Sequence, residues 1–261
     1  MTEFVTSSDG TQIAFGRLGS GPSVILVGGA MQFRAFDPQT GQLAERLAER
    51  GFTVVNYDRR GRGESAGRGP YVLDSEIADL EALITEVGGP AALFGSSSGG
   101  AICLAAAATG LPVSKLALWE VPLGPELGTD GAEFLAGLQE RIASGDEEAT
   151  VAFYMRDMPP EWVEGARQGP AWPIMKAISS SLAPDAEALA WTQSRPRAEL
   201  WSSVRVPVLV LVGEDTLPFF PVAAESIVGS VSDGRSTRVP AANHTWELDP
   251  MVNVLADFFA S

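Results

Sequence analysis

The chain has 261 residues, enough for one large domain with a full core, or for a core carrying an inserted lid. Hydrophobic residues make up 45% and charged residues 20%, the balance of a globular protein. The net charge of −15 argues against nucleic acid or an anionic membrane surface as partner, leaves a small molecule as the expected one, and sets no oligomeric state. The single cysteine, Cys103, permits no disulfide within the chain, and with a single histidine it makes no metal-ligand cluster. No metal and no cofactor are therefore expected. Met1-Thr2-Glu3-Phe4 lacks a basic region leading into an apolar one, and no apolar run approaches membrane-spanning length. A cytoplasmic location is expected.

In chain order, residues 4–6 and 12–17 flank Asp9-Gly10, a hairpin signal. Residues 23–27 form an apolar strand that ends in Gly28-Gly29, and a helix over 42–49 is closed by Gly51. The strand 53–57 runs into Asp58-Arg59-Arg60-Gly61-Arg62-Gly63-Glu64-Ser65, a glycine-broken turn. Leu73, Ile77, Leu80, Ile84 and Val87 mark one face of a helix with Asp74 as expected N-cap and Gly88 as stop. Strands follow over 91–94, 115–119, 208–212 and 236–239, with a helix over 101–108 and a last helix over 252–259. Strands alternating with helices, each strand a buried run, predict an α/β fold: a mostly parallel twisted sheet with helices on both faces. Residues 121–204 break the alternation. Asp130-x-x-Glu133 reads as a capping box, and prolines at 159, 160, 170, 173, 184 and 196 cut the segment into short helices. The expected organisation is a core of residues 1–120 and 205–261 with a helical lid, 121–204, inserted after the sixth strand.

The chemistry centres on Gly95-Ser96-Ser97-Ser98-Gly99, between the strand 91–94 and the alanine-rich helix. Glycine and serine are common, so the pattern alone marks only a small-residue turn. Its frame, strand before and helix after, makes Ser97 the candidate nucleophile. A serine hydroxyl needs a base at neutral pH, and His244 is the one histidine in the chain. It lies just past the last strand, in the order nucleophile then histidine.

These pieces together resemble the α/β-hydrolase superfamily: the strand into Gly28-Gly29, the Asp58-x-x-Gly61-x-Gly63-x-Ser65 turn, the nucleophile elbow, the lid and His244. The resemblance implies an oxyanion hole made by the backbone N–H groups of Ser98 and of Ala30, with Met31 the alternative to Ala30. Because only the backbone of Ser98 is asked for, Ser98→Ala is expected to leave much of the turnover. In the superfamily's pattern the acid stands three residues after the glycine that closes the post-lid strand. Here that position, three after Gly213, is Thr216, which cannot carry charge. Two carboxylates remain open: Asp215, one position short, and Glu120, at the end of the strand 115–119. A narrower resemblance, to the zearalenone lactonases, rests on the serine-rich elbow and on Glu120-Val121-Pro122, 23 residues after Ser97. It implies the layout Ser97–His244–Glu120 and favours Glu120 over Asp215, without implying the substrate.

The aromatic and methionine residues near the elbow and in the lid suggest an apolar pocket, with Met31, Trp119, Met155, Met158, Trp172 and Trp191 as expected lining. The expected function is a serine hydrolase of the carboxylesterase or lactonase kind, cleaving an ester or lactone of a bulky apolar small molecule through an acyl-enzyme. The same residues are compatible with C–C bond hydrolysis, acyl transfer or perhydrolysis, and with a ligand-binding protein built on a hydrolase scaffold.

Overall fold

The computed structural model describes residues 1–65, 67 and 69–261. Eight strands form one sheet in the order β1-β2-β4-β3-β5-β6-β7-β8. They are β1 (Glu3–Thr6), β2 (Gln12–Gly19), β3 (Ser23–Val27), β4 (Thr53–Tyr57), β5 (Ala91–Ser96), β6 (Val113–Trp119), β7 (Val208–Gly213) and β8 (Gly234–Val239). Strands β1 and β2 run antiparallel to their neighbours; every pairing from β4 to β8 is parallel. The inner strands β5 and β7 are buried on both faces, as continuous apolar runs of a covered parallel sheet should be.

Two layers of helix cover the sheet. On one face, Leu43 and Leu47 of α1 (Pro38–Glu49) and Met251, Val252 and Leu255 of α11 (Leu248–Ala260) pack on Val24, Val54, Phe94 and Leu211. On the other, α2 (Leu73–Glu86), α3 (Ser98–Ala108) and α10 (Phe219–Ser230) pack on Ile25, Val55, Leu93, Leu118 and Val210. Helix α3 is buried all round, which its alanines allow: small side chains let a helix lie close to the sheet beneath and the lid above.

Between β6 and β7 the chain is helical: α4 (Asp130–Ser144), α5 (Glu147–Tyr154), α6 (Pro160–Gln168), α7 (Trp172–Ala177), a 3₁₀ turn at Ser179–Leu182, α8 (Ala183–Trp191) and α9 (Arg197–Leu200). Three of these helices, α6, α7 and α8, begin with proline in the first turn, where its missing N–H leaves no carbonyl unpaired. The segment has its own apolar cluster of Leu138, Val151, Tyr154, Met155, Trp172, Met175 and Leu182.

Several local expectations shift. Asp74 lies inside α2, whose N-cap is Val72, and Asp130 is the first residue of α4 behind Thr129, so neither acid caps through its side chain. Both instead sit in the first turn, where a negative charge faces the positive end of the helix dipole. Helix α1 starts earlier than expected because Asp37 caps it, accepting from the Thr40 N–H at 3.1 Å, with Pro38 next. Helix α10 and the short hairpin β9–β10 (Ala241–Ala242, Thr245–Trp246) were not anticipated.

Close packing sets one testable contrast. A Cβ at Gly99 would lie 2.5 Å from the Val27 carbonyl oxygen, a backbone atom that cannot swing away, whereas one at Gly41 in α1 meets nothing within 4 Å. Gly99→Ala is expected to destabilise by roughly 1–3 kcal/mol or more, and Gly41→Ala to stabilise by about 0.5–1 kcal/mol through helix propensity. Denaturant unfolding of the two variants checks this; equal effects would contradict the packing.

Candidate functional site

Ser97 sits where β5 turns into α3, with φ 54° and ψ −128°. A residue with a side chain is held there only by its surroundings. The Ser97 N–H donates to the Trp119 carbonyl at 2.8 Å, across from β6. The flanking glycines are forced by contact: a Cβ on Gly95 would lie 2.6 Å from the Gly100 Cα, and Gly99 lies against the β3 exit. The turn is therefore tight enough to push Ser97 out of the sheet and into a cavity.

His244 is presented by the β9–β10 hairpin. Ala241 pairs with Trp246 and Ala242 with Thr245, leaving Asn243-His244 as a two-residue loop. Both have positive φ, 51° and 66°, as a type I′ turn requires. Asn suits such a position; His is there at a conformational cost. The ring stacks on Phe220, centroids 5.0 Å apart and planes 8° from parallel, with Trp119 at 6.1 Å.

Glu120 and His244 come together. The Glu120 Oε2 lies 2.5 Å from His244 Nδ1. Its Oε1 accepts from the Gly213 N–H at 2.9 Å and from the Thr216 hydroxyl. Thr216, standing where the superfamily's acid was expected, thus serves the carboxylate from the neighbouring strand end. Glu120 is 1% exposed. Burial pushes its pKa up, but the hydrogen bonds from His244, Thr216 and Gly213 together hold it below the ordinary carboxylate value. Its φ of 40° turns the chain off β6 so that the side chain reaches sideways. Asp215 is exposed; its backbone N–H donates to the Ala241 carbonyl at 3.1 Å, and its side chain is not brought to His244.

In the loop after β3, the N–H expected as the second oxyanion donor is engaged by a side chain. The Ala30 N–H points at the Ser98 Oγ, 3.0 Å away, and the Gly29 N–H at the Gln32 Oε1, 2.5 Å away. Met31, with φ 63°, is turned into the lid-side apolar cluster. Cys103 is buried under the elbow with its thiol pKa pushed up by burial, which removes it as a rival nucleophile.

Ser97 and His244 both line one cavity of about 730 Å³. Their side chains share it without a mutual hydrogen bond, a contact that in such sites commonly closes only around substrate. The walls are mostly apolar and include Leu123, Phe134, Trp162, Leu189, Phe219 and Phe220. Of the six side chains expected there, Met158 alone lines it. Trp119 lies fully buried beneath His244; Met31, Met155 and Trp172 fill the lid's own core; Trp191 borders a shallow groove between α4 and α8. Several large apolar residues of the inserted helices went to packing among those helices, while the walls come from the loop after β6, from one side of α4, α6 and α8, and from the start of α10. Among the described residues no group of three or more His, Cys, Asp or Glu side chains is gathered as a metal site, and no helix is long and apolar enough to cross a membrane.

The model of the alpha/beta hydrolase family matches residues 24–257. The chain belongs to the alpha/beta hydrolase family. An alpha/beta hydrolase from Sphaerobacter thermophilus is similar in structure, with TM-score 0.85 and 37% identity over 98% of this chain and 100% of that one. A hydrolase from Pseudomonas aeruginosa gives TM-score 0.73 and 25% identity over 100% of this chain and 98% of that one. A non-heme haloperoxidase of Rhodococcus erythropolis is 38% identical over 87 residues, 33% of this chain and 30% of that protein.

The depressed Glu120 pKa has a stability consequence. A carboxylate whose folded pKa lies below its unfolded value, about 4.3, contributes stability that is complete above that pH and is lost as pH falls through the folded pKa. The gap in melting temperature between wild type and Glu120→Gln is therefore expected to be widest near neutrality and to close in acid. Thermal unfolding from pH 7 to pH 3 checks it; a gap that stays constant would contradict the linkage.

Proposed function

We propose that this alpha/beta hydrolase is a cofactor-independent serine hydrolase that cleaves an ester or lactone of a bulky, apolar small molecule through an acyl-enzyme. The observation that carries the proposal is the meeting of a strained Ser97 and His244 in one cavity, with His244 Nδ1 bound to the buried Glu120 at 2.5 Å.

In this reading Glu120 fixes the imidazole with its proton on Nδ1, leaving Nε2 free as base. Nε2 takes the Ser97 proton as Oγ attacks the substrate carbonyl. The tetrahedral oxygen is held by the Ser98 N–H, a donor of a kind that contributes on the order of 3–4 kcal/mol, and by the Ala30 N–H, which donates to Ser98 Oγ before substrate binds and is shared between that oxygen and the oxyanion once the oxyanion forms. His244 then gives the proton to the leaving alkoxide, and the acyl-enzyme forms. Water, deprotonated by the same Nε2, releases the acid. The cavity size and its apolar walls support a bulky apolar substrate over a small polar one. A second reading, perhydrolysis, is favoured by the partial likeness to a haloperoxidase: hydrogen peroxide takes the place of water at the acyl-enzyme and a peracid leaves. Supplying peroxide with an ester and assaying for peracid separates the two.

Fluorophosphonate labelling with identification of the modified peptide tests the class and the nucleophile together; the expected label is on Ser97, and Ser97→Ala is expected to abolish both labelling and ester turnover. Glu120→Gln keeps shape and removes charge, so kcat is expected to fall on the order of 10⁴, while Asp215→Asn stays near wild type. A crippled Asp215→Asn beside an active, folded Glu120→Gln would move the acid to Asp215. Absence of turnover on any ester or lactone by a protein that binds them would favour the ligand-binding reading.

A further inference from the structure

A fully buried polar cluster lies behind the elbow. Asp185, in the first turn of α8, is fully buried and receives three donors: Arg59 Nη1 at 2.7 Å, Arg62 Nη2 at 2.6 Å and Ser98 Oγ at 2.7 Å. Arg59 also pairs with buried Glu76 at 2.9 Å, so two cations and two carboxylates balance in a site without water access. Both arginines reach past Asp185 to the loop after β3. Arg62 Nη1 donates to the Gly29 carbonyl at 2.7 Å and to the Gln32 carbonyl at 3.3 Å; Arg59 Nη1 donates to the Gly28 carbonyl at 3.2 Å. The carbonyls of this loop are thus clamped from one side.

Its N–H side is set by Ser98. An ionised carboxylate only accepts, and the two guanidinium groups, outweighing burial, keep Asp185 below the ordinary carboxylate value. The one hydroxyl hydrogen of Ser98 must therefore go to Asp185. That leaves a lone pair of Oγ for the Ala30 N–H, 3.0 Å away. The chain of bonds runs in one direction: Ala30 N–H to Ser98 Oγ–H to Asp185. It begins at the Ala30 N–H, which the proposed oxyanion would share with Ser98 Oγ, passes through the side chain of the residue whose own N–H is the other donor of the proposed hole, and ends on α8.

We propose that Ser98 and Asp185 are positioning residues for the oxyanion hole, and that the seating of α8 on the core through Asp185 sets how well that hole holds developing charge. This rests on the proposed serine-hydrolase function and deepens it. It also revises the expectation that Ser98→Ala leaves turnover largely intact: the backbone donor survives, but the alignment of its partner does not. A donor that drifts by a fraction of an ångström loses more in the transition state than in the ground state, because only the tetrahedral oxygen carries the charge.

The test compares Ser98→Ala with wild type on one ester and on two inhibitors of matched skeleton. A trifluoromethyl ketone adds Ser97 and places an oxyanion in the hole; the plain methyl ketone measures ground-state binding. The expected result is a fall in kcat of about tenfold or more with KM within twofold. The trifluoromethyl ketone should weaken in proportion to kcat/KM, and the methyl ketone should not. Asp185→Asn, which also weakens the hold of Arg59 and Arg62 on the β3 loop, should lower kcat at least as far as Ser98→Ala; where Asp185→Asn does not fold, Ser98→Ala decides alone. A kcat within twofold of wild type, or equal weakening of both ketones, would overturn the relay while leaving the hydrolase reading intact. A wild-type protein that cleaves no ester and takes no label on Ser97 would overturn the hydrolase reading itself, and the relay with it.

Discussion

Glu120 must hold a negative charge in a place almost closed to water, and the arrangement of the site follows from how that is done. A buried carboxylate is tolerated when its oxygens are filled by donors. Here the donors come from separate parts of the chain: Gly213 N–H at the end of β7, the Thr216 hydroxyl in the loop beyond it, and His244 on the β9–β10 hairpin. The Glu120 N–H in turn donates to the Leu211 carbonyl at 3.0 Å, continuing the β6–β7 pairing one residue past the strand. The register of β6 against β7 thus fixes Glu120, Glu120 fixes the imidazole ring, and the strained hairpin delivers that ring to the cavity. Loss of the carboxylate leaves a hydroxyl and a backbone N–H buried without their acceptor, so the cost is structural as well as electronic.

The same logic, buried charge filled by donors, recurs on the lid side of the elbow. Asp185 gathers Arg59, Arg62 and Ser98, while Arg60 pairs in bidentate fashion with buried Asp79 at 2.7 and 2.8 Å. The Asp58–Ser65 turn therefore does more than connect. Its glycines make room, since a Cβ at Gly63 would meet the Asp58 carboxylate at 2.4 Å, and its arginines tie the β3 loop, α2 and α8 to one another. One buried carboxylate lies beside His244 and one beside Ser98, next to Ser97.

What could be read from the sequence was what depends on local chemistry. The Gly95–Gly99 pattern between a strand and a helix located Ser97, because tight turns restrict residue choice over a few positions. The position of a lone histidine located His244. Threonine at 216 was legible as a missing acid, though not as a hydroxyl donor to another one; that requires knowing that the ends of β6 and β7 adjoin. Asp185 gave no signal, since its partners lie more than 80 residues away in the chain and an acid in the first turn of a helix is ordinary. The pocket walls failed for a similar reason. Trp172 and Met155 look like cavity residues by composition, yet a lid needs a core of its own, and they supply it. Phe219 and Phe220 reach the cavity only because α10 begins beside the hairpin that bears His244.

Because the chain has a single histidine, its imidazole can be observed without assignment ambiguity. The most direct test of the account is the proton and ¹⁵N spectrum of that ring in wild type, Glu120→Gln and Asp215→Asn. A short Nδ1–H contact to an ionised carboxylate gives a far-downfield, exchange-protected imidazole proton. The account predicts that this signal is present in wild type, persists in Asp215→Asn and disappears in Glu120→Gln with the protein still folded. Its survival in Glu120→Gln, or its loss in Asp215→Asn, would contradict the assignment of Glu120 as the partner of His244.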